Sequence, residues 1–84
     1  MNNRLKYKII FPELPAIEGE TDKLLLNSKG NPLTILANHA PMIGVIEKGV
    51  LKINNDNGES AEYNYYDGYF NVKEGSVIIN ILRH

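Results

Sequence analysis

Cysteine and tryptophan are absent from this 84-residue chain, and only two histidines and four prolines occur. Without cysteine there is no disulfide framework, no thiolate nucleophile and no cysteine-based metal cage, so the usual staples of small secreted domains are missing and a reducing, cytosolic compartment is expected. His39 and His84 have no second histidine at ligand spacing, which leaves zinc without a plausible site. Charge of one sign is lacking too: nine basic residues face ten acidic ones for a formal net charge of -1. They are spread along the chain, so the electrostatic footprint that holds phosphate backbones is missing and no nucleic-acid partner is expected. The longest apolar runs, Leu24 to Leu26 and Val77 to Ile79, fall far short of the roughly 20 residues that span a bilayer. The N-terminus lacks the apolar core of a secretory signal, so neither membrane insertion nor export is expected.

What is present is an apolar fraction of 43% with seven glycines, the composition of a folded globule rather than a disordered segment. The length allows one domain, residues 1–84, with one core and much wet surface. Leu5, Tyr7, Ile9 and Phe11 recur at period two, the pattern of a half-buried strand, and Pro12 to Pro15 interrupt it. A short strand at Ala16 to Glu18, a turn at Gly19 to Thr21 and a buried strand at Lys23 to Asn27 follow. Gly30, Asn31 and Pro32 mark another turn, Leu33 to Leu36 a strand and Asn38 to Pro41 a break. Met42 to Ile46 then runs apolar to a corner at Lys48 and Gly49.

Val50 to Asn54 and Ser60 to Tyr66 flank the polar run Asn55 to Gly58, whose Asn-Gly pair supplies the positive backbone angles of a hairpin. In the second arm Ala61, Tyr63 and Tyr65 share a face, and Tyr66, out of phase with them, is the tyrosine expected to be displaced outward as a contact residue. Tyr69 to Lys73 and Ser76 to Leu82 form a last hairpin about Glu74 and Gly75. Its final strand is apolar on both faces and expected to be central. With no sustained helical period and with turn signals roughly every eight to twelve residues, the reading is all-β: a two-sheet antiparallel sandwich of about ten short strands.

No constellation of catalytic residues emerges. Ser28, Ser60 and Ser76 fall in turns or strand starts without a nucleophile elbow. The acid pairs Glu18 with Glu20 and Glu59 with Glu62 read as solubilising strand-edge charges that discourage edge pairing. The glycines are scattered among turns rather than grouped before a helix, so no phosphate cradle is present. No enzyme activity, cofactor or metal is expected.

The segment Leu33 to Pro41, Leu-Thr-Ile-Leu-Ala-Asn-His-Ala-Pro, resembles the signature of the epsilon subunit of rotary F-type ATP synthases, commonly Gly-Ile-Leu-Pro-Gly/Asn-His-Ala-Pro. Lys48-Gly49 leading into Val50-Leu51-Lys52-Ile53 echoes that family's next corner and strand. Asp67-Gly68-Tyr69-Phe70-Asn71-Val72 echoes its Gly-Gly-Phe-x-Glu-Val strand, so the resemblance covers nearly the whole chain. Thr34 replaces the usual glycine, Ala37 the usual proline, Asp67 one glycine and Asn71 the usual glutamate.

The resemblance implies a non-catalytic rotor part at the foot of the central stalk, on the cytoplasmic face of the cell membrane and peripheral to it. It would link the gamma subunit to the c-ring and so couple ion translocation to ATP synthesis. The family's C-terminal helix pair has no counterpart here, and braking by those helices is expected to be absent. Carried over, the gamma contact falls on His39, Ala40, Pro41, Met42 and Ile43, and the c-ring contact on Gly30, Asn31 and Pro32, where the acid often found is missing. His39 also has a simpler reading, fixing its own loop by a backbone hydrogen bond. The alternative from a different class is a free-standing sandwich adaptor that captures an extended peptide at a sheet edge. An apolar sheet face favours the stalk role, and an unprotected edge strand favours the adaptor.

Overall fold

The structure, a computed structural model, describes residues 4–28, 30–54, 58 and 60–83. Seven strands run through it: β1 Leu5–Ile10, β2 Ile17–Thr21, β3 Lys23–Ser28, β4 Asn31–Ile35, β5 Met42–Asn54, β6 Ser60–Lys73 and β7 Ser76–Arg83. They form one hydrogen-bonded sheet in the order β2-β1-β7-β6-β5-β3-β4. All neighbours are antiparallel except β1 and β7, which pair in parallel from Lys6 opposite Ser76 to Ile10 opposite Asn80.

The chain is all-β, with seven strands instead of about ten and one parallel pair inside an otherwise antiparallel arrangement. The count falls because β5 and β6 run straight through the breaks expected at Lys48-Gly49 and after Tyr66. Their register is unbroken in sense from Met42 opposite Val72 to Asn54 opposite Ser60. Likewise β2 continues through Gly19 to Thr21, held by pairing with β1, and the chain turns at Asp22 instead. The Asn55 to Asn57 part of the expected hairpin turn lies outside the described residues, as do Glu59 and His84. Gly58 beside that turn has φ of 90°.

A flat sheet of seven strands would be a thin slab roughly 29 Å wide. This molecule measures 36 × 23 × 20 Å, and with no helix among the described residues, only a second layer of the same sheet covers the core. The two long strands make the fold-over. Residues 42–47 of β5 and 67–73 of β6 join β7, β1 and β2 in one layer. Residues 49–54 of β5 and 60–65 of β6 join β3 and β4 in the other.

Inward-facing positions change parity at this bend. Ile46 is buried in the first half of β5 but Leu51 and Ile53 in the second, while β6 passes from Tyr65 to Phe70 and Val72. Strong local twist, with a bulge at Asp67 and Gly68, turns both strands together so that each layer presents its apolar residues inward. Leu5, Ile9, Leu24, Ile35, Ile46, Leu51, Phe70 and Ile79 are completely buried in the one core. The far margins are clasped by Thr21, buried on β2, whose Oγ1 donates to the Asn54 carbonyl at 2.7 Å.

Candidate functional site

The outer surface of the first layer is assembled by period two from three neighbouring strands. Ile43 and Val45 of β5 point outward, and the register sets Val45 opposite Tyr69 of β6 and Ile43 opposite Asn71. Asn71 in turn faces Ile78 of β7, and Leu82 lies farther along the same strand. All five apolar side chains are exposed, Ile43 most of all at 76%. β7 is therefore central in the sheet, as expected, yet only Val77, Ile79 and Ile81 are buried; Ile78 and Leu82 face outward. Isolated exposed apolar residues are ordinary, whereas a stripe across three adjoining strands marks a contact surface.

The stripe ends in a groove of about 610 Å³ lined by Ser28, Asn31, Met42, Ile43, Gly44, Val45 and Tyr69. Asn31, read from the sequence as part of one contact, therefore shares a wall with Met42 and Ile43, read as part of another. Gly30 sits at the tip of the β3–β4 hairpin with φ of 80°, and Asn31 and Pro32 open β4, exposed. His39, Ala40 and Pro41 form the approach to β5. The His39 amide donates to the Leu36 carbonyl at 3.0 Å, and Nδ1 lies 2.7 Å from the Ala40 carbonyl and donates to it. His39 thus fixes its own loop and leaves Met42 and Ile43 to make the wall.

The groove exists because, among the described residues, the first half of β5 has a strand neighbour on one side only. β3 pairs with β5 at Lys52 to Asn54, and no described strand lies beside Met42 to Lys48 on that flank. Ser28 Oγ reaches across to donate to the Val45 carbonyl at 2.7 Å. A second hollow, about 740 Å³, lies between the β1–β2 connection and β6, lined by Phe11, Leu14, Pro15, Ala16, Ile17, Tyr63, Glu62 and Asn64. Nothing in the sequence patterning drew attention to it.

Among the described residues no three His, Asp or Glu side chains converge on a point that could hold a metal ion. Glu18 and Glu20 lie on β2 opposite Lys8 and Lys6, spread along a strand edge. The Asp67 carboxylate raises the pKa of Arg83, and two phenols are raised as well. Burial raises the Tyr65 phenol, partly countered by its hydrogen bond with the Asn27 backbone. Burial, and then the nearby Tyr63, raises Tyr7.

Met42 and Ile43, expected as contacts from the resemblance, line the groove, while Val45, Tyr69, Ile78 and Leu82 are not singled out, because their outward direction depends on the parity change inside β5 and β6. Tyr66, the tyrosine singled out as a contact residue, is exposed, but it lies under the Lys48 ammonium, 5.5 Å from the ring centre, outside this groove.

The geometry defines a class: a two-layered β-sandwich module with an apolar stripe on its outer face. Residues 4–82 match the family described as the ATP synthase, Delta/Epsilon chain, beta-sandwich domain, and the chain belongs to that family. It is 33% identical over 78 residues to the ATP synthase epsilon chain of Leptospira interrogans, covering 92% of this chain and 60% of that one. It is 31% identical over 77 residues to the chloroplastic ATP synthase epsilon chain of Bigelowiella natans, covering 90% and 56%. The chain thus spans little more than half the length of these relatives.

In three dimensions it superposes with a TM-score of 0.88 on a chain of the Euglena gracilis mitochondrial ATP synthase OSCP/F1/c-ring assembly. The sequence identity is 16%, and the match covers 99% of this chain and 53% of the other. A chain of the Tetrahymena thermophila mitochondrial ATP synthase central stalk and c-ring gives 0.73 at 17% identity, covering 93% and 63%. At these identities the likeness establishes the fold.

Proposed function

We propose that this protein is a non-catalytic central-stalk subunit of a rotary F-type ATP synthase, linking the gamma subunit to the membrane c-ring and so coupling ion translocation to ATP synthesis. It is peripheral to the membrane and works through the complex. The observation that carries the reading is the outward stripe of Ile43, Val45, Tyr69, Ile78 and Leu82, an apolar face that a rotor component presents to its neighbour. His39, Ala40, Pro41, Met42 and Ile43 contact gamma, and Gly30, Asn31 and Pro32 at the hairpin tip contact the c-ring. Two close-packed layers suit a part that transmits torque, because dense interiors deform little. The names of the relatives support the same reading.

Co-expression with gamma tests it. Ile43→Asp places a charge on the exposed stripe without touching the core, so the variant is expected to melt like the parent yet lose gamma capture. Undiminished capture by Ile43→Asp would remove this face from the interface, and failure of the parent to bind gamma would remove the stalk role. The second reading, an adaptor that takes up an extended peptide, is favoured by the open flank of β5. Family membership weighs for the stalk, and the open flank then needs a role within it.

A further inference from the structure

We propose that the first half of β5 accepts an extended strand of its stalk partner by backbone pairing along Met42 to Ile46, so that docking continues the sheet instead of only covering its face. The inference rests on the docking role given to this region above. In an antiparallel pair the N–H and C=O of one residue point to the same side and alternate along the strand. The Val45 carbonyl accepts the Ser28 hydroxyl from the β3 side, opposite β6, so it points to the open flank. Ile43 and Glu47, two residues away on either side, share that direction. The main-chain groups of Ile43 and Val45 therefore look into the 610 Å³ groove, and Ser28 Oγ stands where a neighbouring strand's N–H would donate.

The two ends of the sheet show what a guarded edge looks like. β2 carries Glu18 and Glu20, and β4 is only five residues long and contains Pro32. Charges, proline and shortness are the devices that stop edge strands from pairing. Met42 to Ile46 has none of them: it reads Met-Ile-Gly-Val-Ile, with Ile43 and Val45 exposed. The chemistry that completes it is another strand, whose main chain meets the open N–H and C=O groups. Apolar side chains on that strand rest on Ile43, Val45 and Tyr69.

Proline substitution separates main-chain pairing from side-chain contact. At Val45 it removes an N–H that faces away from β6, a position where an edge strand tolerates proline, whereas Val45→Thr keeps the N–H and the branched shape. With the full chain and purified gamma, Val45→Pro is expected to weaken capture about tenfold or more while Val45→Thr stays near the parent. Hydrogen exchange at the Ile43 and Val45 amides is expected to slow on binding. A complex in which these amides exchange as in the free chain, or equal capture by Val45→Pro and Val45→Thr, overturns strand addition and leaves the docking role standing. No complex with the parent chain overturns both. A symmetric dimer of this chain that keeps the amides protected in excess gamma also overturns the proposal, giving the edge to a second copy.

Discussion

Tyr65 shows how one side chain ties the layer together. Its ring crosses β5 beside Gly49, where an added Cβ would stand 2.6 Å from the Asn27 side-chain amide and 3.3 Å from the phenol oxygen. That oxygen accepts from the Asn27 amide at 2.9 Å and donates to the Asn27 carbonyl at 3.3 Å. The Gly49 read as a corner is therefore a strand residue whose missing side chain gives the tyrosine passage to β3. Tyr65→Phe keeps the buried ring but leaves the Asn27 groups without this partner, at an expected cost of about 1–3 kcal/mol in urea unfolding.

Burial of the same ring gives stability a pH dependence, which the Asn27 hydrogen bond partly counters. Burial raises the folded-state phenol pKa, so the fold favours the neutral form. The contribution is complete below the unfolded value of about 10 and declines as pH rises from there through the raised folded value. Unfolding titrations at alkaline pH are expected to show that decline, and it should be shallower in Tyr65→Phe, with the raised Tyr7 supplying what remains.

Between elements, the pairing of β5 with β6 decides both the core and the docking face. Gly44 lies opposite Phe70, and an added Cβ would stand 2.6 Å from two atoms of that completely buried ring. The ring cannot swing aside in a packed core, so Gly44→Ala is expected to cost about 1–3 kcal/mol, read as a lower denaturant midpoint with an unchanged slope. The sequence made the arms of this hairpin legible because Ala61, Tyr63 and Tyr65 alternate with polar residues, and they do share an inward phase. It could not show that the phase reverses near Tyr66 and Asp67, because period two carries no record of a bend. For that reason Ile43 enters only through the resemblance, while the outward direction of Tyr69, Ile78 and Leu82 is not legible in the residue pattern. The open flank of β5 was equally hidden, since strand order decides which edges lack a neighbour.

At the level of the whole molecule the parallel pairing of β1 with β7 joins the first strand to the last. Within the sheet β1 pairs only with β2 and β7, so β7 supplies the ladder that joins the β1–β2 hairpin to the other strands. Ending the chain at Gly75 would remove Val77, Ile79 and Ile81, each no more than 3% exposed, and leave the β1–β2 hairpin without its neighbour in the sheet. Single core truncations cost about 2–5 kcal/mol where a Leu, Ile or Met is cut to Ala, against a total stability of about 5–15 kcal/mol for a small domain. Losing a whole central strand exceeds that margin. The shortened chain is expected to give the circular dichroism of an unfolded polypeptide, while residues 1–84 melt in one transition. For the complete chain, stopped-flow refolding is expected to be single-exponential on the millisecond to second scale typical of sheets built from distant pairings. A folded, cooperatively melting chain ending at Gly75 would show that β1 finds another partner and that the sheet order is not what holds the two layers closed.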